Sequence, residues 1–532
     1  MLLIRRRRTT ALVALALTTA LTAAVPAAQA AGATPADPTN AWTGQWAMGG
    51  ADYTNSRSNP YEFRLRRANV SRLKVRWTLS TAGDTSATPA VAGGAVYVPD
   101  WGGSFWKVDA RSGKVIWSHR VADYVGIDGA ISRTSPAVVG DTVYIGTQQG
   151  ARLLAIDTAT GDLRWSTALD AHPHAVLTQS PVVYDGVVYQ GVSSMEEGAA
   201  ADPTYPCCSF RGSLQAIDAA SGRVLWKSYT LPDQGASTDI FSGAPIWGGT
   251  PAIDPASSSV YVATGNNYEI PQHAQDCQKA GGTPQQCLPS WNRINSILAF
   301  DLHTGQLKWS AGQDRFDSWN VACLPGVPPN NCPTPGPDWD FGDGAHLFTL
   351  RDSDGRRYRA VGVGQKSGEY WMLDAATGRV LWSAVVGPGA AYGGIQWGTA
   401  TDGRRIYFTS TNSDRRPHQL PNGQIINHSS FGALDPATGR VLWQVPEPHG
   451  DIAMGAISTA NGVVYAGSLS GRMYALDAAT GRVLWEYLGQ GSSNAGPAVV
   501  NGSVYWGNGY ARWGQGTPST TFYAFSIGSA SH

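Results

Sequence analysis

Hydrophobic and polar positions along this chain follow a repeating pattern. An apolar strand closing on Asp leads into a turn with Thr-Gly or Ser-Gly, and a second strand places Trp eight residues after the Asp. The copies are FWKVDARSGKVIW (Asp109, Trp117), LLAIDTATGDLRW (Asp157, Trp165), LQAIDAASGRVLW (Asp218, Trp226), ILAFDLHTGQLKW (Asp301, Trp309), YWMLDAATGRVLW (Asp374, Trp382), FGALDPATGRVLW (Asp435, Trp443) and MYALDAATGRVLW (Asp477, Trp485), seven in all. Before most of them lies another apolar, β-branched pair of runs with Gly, Asp or Asn between, as in SPAVVGDTVYIGT (Ser135 to Thr147) and GPAVVNGSVYWGN (Gly496 to Asn508). Each such pair predicts a β-hairpin. Two hairpins per unit predict a four-stranded blade, and units repeated at this period predict a ring around one axis.

The eighth unit is divided. LKVRW, ending at Trp77, supplies a lone closing strand and FYAFS, ending at Ser526, a lone opening strand. Pairing them closes the ring and leaves no blade edge open. The expected fold is all-β: an eight-bladed β-propeller of four-stranded blades, closed by N- and C-terminal strands, forming a single domain over 31–532. In each repeat the Asp and the Thr or Ser of the turn are expected to bond nearby backbone N–H groups, and the Trp to pack between blades.

Composition adds a location. Arg5 to Arg8, the apolar run from Ala11 to about Val25 and the small residues around Ala28-Gln29-Ala30 read as a signal peptide over 1–30. The run is broken by threonines and followed by Pro26, which argues against a membrane anchor. Lys+Arg and Asp+Glu both number 39, so loss of the four leader arginines makes the expected mature charge about −4 and removes any case for nucleic acid. In an exported chain six cysteines predict disulfides. Sequence order pairs Cys277 with Cys287 and Cys323 with Cys332, leaving the neighbours Cys207 and Cys208. No Cys-x-x-Cys-His occurs, so no c-type haem is expected in this chain.

Asp-to-Asp spacings of 48, 61, 83, 73, 61 and 42 residues place the longest insertions on either side of Asp301. Extra length on one face of a propeller builds a binding surface. The interruptions there are GVSSMEE (Gly191 to Glu197), YPCCSFRGS (Tyr205 to Ser213), YVATGNNY (Tyr261 to Tyr268), SWNVAC (Ser318 to Cys323), GPDWDFG (Gly336 to Gly342) and GQKSG (Gly364 to Gly368). With QWAMGGADYTNSRSNP near the start, these segments resemble the pyrroloquinoline-quinone (PQQ) dependent alcohol dehydrogenases, and within them the polyvinyl alcohol dehydrogenase group.

PQQ is a flat tricarboxylated quinone, so its site needs apolar faces, cations, a Lewis acid and a base. The resemblance implies Trp247 as the stacking face and the Cys207–Cys208 ring as the opposite cover, although in related enzymes the cysteine pair lies earlier in the chain. It implies Glu197 and Asn266 as Ca²⁺ ligands with Asp340, one residue of slippage making Glu196 the alternative to Glu197. Asp340 is also the implied base, with Asp338 and Asp343 close enough in sequence to be mistaken for it. Lys366 is implied beside the quinone oxygens, Arg133, Thr178 and Ser194 at the cofactor's carboxylates and carbonyls, and Trp397 at its rim. The implied activity is oxidation of a secondary alcohol, with electrons leaving to a separate cytochrome c. A cofactor-free scaffold is the rival, since repeats alone carry no chemistry. No His-Glu-x-x-His, Gly-x-Ser-x-Gly or nucleotide-binding glycine loop points elsewhere.

Overall fold

The computed structural model describes residues 44–528, apart from 236, 238, 313 and 314; the expected leader lies outside them. Eight antiparallel four-stranded blades follow one another in the chain. The first comprises Ala90–Ala92, Ala95–Pro99, Ser104–Asp109 and Val115–Arg120. The next six occupy 137–168, 182–229, 252–312, 346–385, 400–446 and 458–488. In the last, Ala498–Val500, Ser503–Trp506 and Thr521–Ser526 are completed by Lys74–Ser80, so the two ends of the described chain share one sheet as expected.

The repeat residues explain how blades join. Just before each Trp the outer hairpin slips register by one residue, and such a bulge re-aims the side chain that follows. The outer strand therefore does not end at Trp, as the pattern suggested; Val115–Arg120, for example, continues past Trp117. Each Trp Nε1 then donates, at 3.0–3.1 Å, to a carbonyl of the neighbouring blade, from Trp77 to Ala110 round to Trp485 and Leu73. The ring lies on the next turn's glycine: a Cβ on Gly305 would stand 2.5 Å from Trp226, and its φ of +70° disfavours other residues as well. One net hydrogen bond of about 1 kcal/mol thus recurs at each blade junction, and the close ring contact at seven of them, Trp485 facing the divided blade that has no such turn.

The segment before the first blade has a role that its sequence did not disclose. It crosses the centre of the ring and bonds the innermost strands in turn. Trp46 pairs with Val91, and the carbonyls of Ala47, Tyr53, Thr54, Ser56 and Arg57 accept from Val138, Ile253, Leu347, Thr401 and Thr459. Asn59 Nδ2 donates to Val499 O at 2.8 Å, and Tyr53 meets Tyr184 edge-on at 5.2 Å. Residues 46–59 thereby touch all eight blades and plug the axis.

Antiparallel pairing sorts the loops onto two faces. The Asp-to-Trp turns share a face with the turns between first and second strands, as Ala110 N→Gly94 O and Ala219 N→Gly186 O show. The loops between second and third strands, and those between blades, form the other. All the predicted site residues lie on that second face.

Candidate active site

A cavity with about 880 Å³ of empty space, part of it open to solvent, sits on the axis of the loop face. Arg133, Thr178, Ser194, Glu197, Trp247, Asp340, Lys366 and Trp397 all line it. They come from seven different inter-strand or inter-blade loops, so only the closed ring brings them together.

Asp340 is held by three donors. Asn266 N reaches Oδ1 at 2.6 Å, while Trp247 Nε1 and Lys366 Nζ reach Oδ2 at 2.9 and 3.2 Å. This approach needs Gly265, because a Cβ there would lie 2.7 Å from Asp340 Oδ1. An ionised carboxylate offers about four lone-pair sites, so one direction stays free. Lys366 also bonds Asp338 Oδ1 at 2.9 Å. Burial would lower the Lys366 pKa, but Asp338, Asp340 and Glu197 outweigh it and hold the ammonium well above its ordinary range.

Glu197 and Glu196 have opposite fates. The Glu196 carboxylate is fully buried and accepts from Ser209 N, Phe210 N and Tyr205 Oη at 2.8, 2.8 and 3.0 Å. Glu197 faces the cavity, where burial and then the charge of Asp340 push its pKa up to about 7. The Asn266 side chain donates Nδ2 to Trp319 O and Asn267 O, at 2.8 and 3.0 Å, and leaves its buried Oδ1 without a partner. Glu197 thus faces the cavity beside Asp340, and Asn266, buried behind the wall and not lining it, keeps an unpartnered Oδ1; hard oxygen donors of this kind suit a cation such as Ca²⁺.

The walls suit a flat anion. Trp247 and Trp397 meet edge to face, centroids 5.4 Å apart, and Trp397 Nε1 is buried without a partner. The Arg133 guanidinium lies 5.3 Å from the Trp397 ring and 5.9 Å from Trp101, with no carboxylate or carbonyl engaging it among the described residues. Thr178 Oγ1 donates to Trp247 O at 3.2 Å, and Ser194 Oγ accepts from Glu196 N at 2.8 Å. Trp397 and Asp338 adopt φ of +64° and +58°; left-handed backbone at such residues costs about 1–3 kcal/mol and persists where the surroundings over-determine it.

The cysteines are all paired. All three disulfides form as sequence order suggested, Cys277–Cys287, Cys323–Cys332 and Cys207–Cys208. Neither Cys207 nor Cys208 lines the cavity. Glu196 pins the loop that follows them, so Cys208 packs with Phe210 and Tyr268 in the core of the third blade, and Cys207 Sγ lies 3.9 Å from Asn320 Nδ2.

Tyr510, Arg512, Trp513 and Gln515 also line the cavity and were missed. They belong to the long loop between Ser503–Trp506 and Thr521–Ser526, a gap that Asp-to-Asp counting cannot register because it falls after Asp477. Arg512 pairs with Asp84 at 3.3 Å and stacks 3.9 Å from Trp101. Trp319, Val321 and Met454 supply apolar wall.

Comparison with known proteins agrees with this geometry. A family model described as outer membrane protein assembly factor BamB matches residues 66–202 and 427–527. The fold is like that of a quinohemoprotein alcohol dehydrogenase of Pseudomonas putida HK5, with a TM-score of 0.70 at 20% identity over 92% of this chain and 81% of that one. Ring and cavity together place the molecule among the quinoprotein-type propellers. Polyvinylalcohol dehydrogenases of Sphingopyxis sp. strain 113P3 and of a Pseudomonas species are 30% and 29% identical, over 86% and 88% of this chain and 73% of each relative. The chain belongs to the polyvinyl alcohol dehydrogenase family.

Proposed function

We propose that the protein is an exported PQQ- and Ca²⁺-dependent dehydrogenase that oxidises secondary alcohols, polyvinyl alcohol or similar diol-rich compounds, to ketones. The observation that carries this reading is the meeting of Asp340, Glu197, the unpartnered Asn266 Oδ1 and Lys366 beside the Trp247–Trp397 wall. Export rests on the leader-like residues 1–30.

Glu197 and Asn266 Oδ1 would hold the metal next to Asp340, and a cation there would offset the burial and the Asp340 charge that raise Glu197. Trp247, Trp397 and Arg133 would hold the cofactor, its carboxylates meeting the free guanidinium, with Thr178 and Ser194 at its edge. When bound, PQQ supplies the two-electron acceptor and Ca²⁺ the Lewis acid. The chain's own part is proton handling and placement. Asp340 takes the hydroxyl proton through its one free lone-pair direction, and Lys366 donates to the same carboxylate and places it. Asn266 N and Trp247 Nε1 fix its orientation. Trp319, Val321 and Met454 shed water and face the aliphatic part of the alcohol. A separate cytochrome c would take the electrons.

The test is reconstitution of the purified chain with PQQ and Ca²⁺. Binding should quench tryptophan fluorescence, and dye-linked turnover should appear on 2,4-pentanediol and polyvinyl alcohol. Neither quenching nor oxidation of any alcohol would favour the non-catalytic scaffold instead.

A further inference from the structure

We infer that Asp343 is a positioning residue for the proposed oxidation, setting the relative placement of Asp340, Lys366 and Trp397 without touching the reactants. The inference rests on the functional reading above. Asp343 is buried, does not line the cavity and stands three residues beyond Asp340. Its Oδ1 accepts from Gly344 N and Thr399 N at 2.9 and 3.0 Å and lies 3.2 Å from His346 Nε2. Its Oδ2 accepts from Thr399 Oγ1 and Gly364 N at 2.8 and 3.2 Å.

Each bond fastens a different piece of the site. Gly364 precedes Lys366 by two residues, and Lys366 N donates to Asp340 O at 2.9 Å. Thr399 follows Trp397 by two residues, and Trp397 N donates to Gly342 O at 3.1 Å. The left-handed turn at Trp397 is thereby anchored immediately downstream by two bonds to one carboxylate. His346 carries the connection to the axial plug, with Nδ1 2.5 Å from Asn55 O, and Asn55 Nδ2 returns to Ala345 O at 2.9 Å. One side chain therefore ties the Asp340 loop, the Lys366 turn, the Trp397 loop and the plug.

The chemistry requires a carboxylate at this point. Four partners are plain N–H or O–H donors, and the fifth is a ring nitrogen. An amide of the same shape would accept at one oxygen only and turn its NH₂ toward donors. Asp343→Asn should then loosen both loops at once, and a displacement near 1 Å costs about 100-fold in rate. Thr399→Val tests the same node by removing one donor, and Thr399→Ser puts that donor back.

The measurement is kcat per PQQ bound, with PQQ affinity from fluorescence quenching and amide exchange at Gly364 and Thr399. Asp343→Asn should lower kcat per bound PQQ by about 100-fold, weaken PQQ binding and speed exchange at both amides, while KM for the alcohol stays close to wild type. Thr399→Val should lose about 10-fold and Thr399→Ser should recover to near wild type, which keeps the proposal testable if Asp343→Asn does not fold. If Asp343→Asn or Thr399→Val merely lowers Tm, leaving kcat per bound PQQ, PQQ affinity and exchange unchanged, Asp343 is a stabilising residue only and the proposal falls. Failure of the underlying reading looks different, because wild-type protein would then bind no PQQ.

Discussion

Carboxylates in the propeller's repeat turns and carboxylates crowded around its cavity are treated in opposite ways, while, against burial, donor-rich Glu196 and Asp343 on the loop face are held low like those of the turns. On the turn face, the Ser hydroxyl and then the backbone N–H groups of the turn lower the pKa of Asp109 and Asp218, and Arg164 followed by Thr160 N and Ala159 N hold Asp157 down to about 2. On the loop face, burial raises Asp338 well above its ordinary value and Glu197 and Asp317 to about 7 and 6. Donors that the local turn provides make a carboxylate a stable structural fixture. Carboxylates crowded together with few donors are poised to take a proton or a cation, and that crowding needs loops from several blades. The difference separates turns that keep the ring together from a cavity available for chemistry.

The largest expected effect sharpens this separation. Asp340→Asn should cut kcat per bound PQQ by about 10³-fold, within the range of general-base catalysis. That loss is far larger than the stability cost of about 2 kcal/mol from weakening the bonds of Asn266 N, Trp247 Nε1 and Lys366 Nζ. Trp309→Phe should do the reverse, removing the Nε1 bond to Ala375 O at a cost of about 1 kcal/mol with kcat per bound PQQ unaffected. Loss of turnover in Trp309→Phe, or full turnover in Asp340→Asn, would break the division. Next in size is a contrast between sequence neighbours. Glu197→Gln should weaken Ca²⁺ binding at least about 10-fold, read as a smaller Ca²⁺-induced rise in Tm. Glu196→Gln should leave that rise intact while destabilising the fold by about 2 kcal/mol, because it weakens charge-assisted bonds from Ser209 N and Phe210 N.

What the sequence discloses follows the same line. The ring was legible because Asp, Gly and Trp recur at fixed offsets, each for a local reason that one blade displays in full. Asp340, Asn266 and Lys366 were legible because their motifs interrupt that pattern. The axial plug was not, since residues 46–59 bond mainly through backbone groups and leave no periodic trace. Alignment favoured Glu197 over Glu196 by a margin of one residue only, because their physical difference lies in which way the turn after Ser194 points each carboxylate. The cysteine pair was read as a bond, which the structure forms, and lies beside the cavity's Trp319–Val321 wall without lining it. Its location depends on the path of the loop through Ser209 and Phe210, which the buried Glu196 sets. Asp343 was indistinguishable from a stand-in for Asp340 until its five partners were known.

The smallest effect asks whether raised carboxylates on the loop face cost stability where no chemistry is assigned to them. Burial, opposed by the Ile270 N bond and reinforced by Asp239, raises the Glu269 pKa to about 7. Its folded-state pKa lies above the unfolded value, so the folded protein holds this proton more tightly. The resulting stabilisation is complete below about pH 4.5 and fades as pH rises through about 7. Glutamine mimics the protonated form and never ionises. Glu269→Gln should therefore match wild type in Tm at pH 4 and exceed it by about 2 °C at pH 8. An equal shift at both pH values would mean that packing, not ionisation, governs this position, and the contrast with the repeat turns would then be confined to the cavity itself.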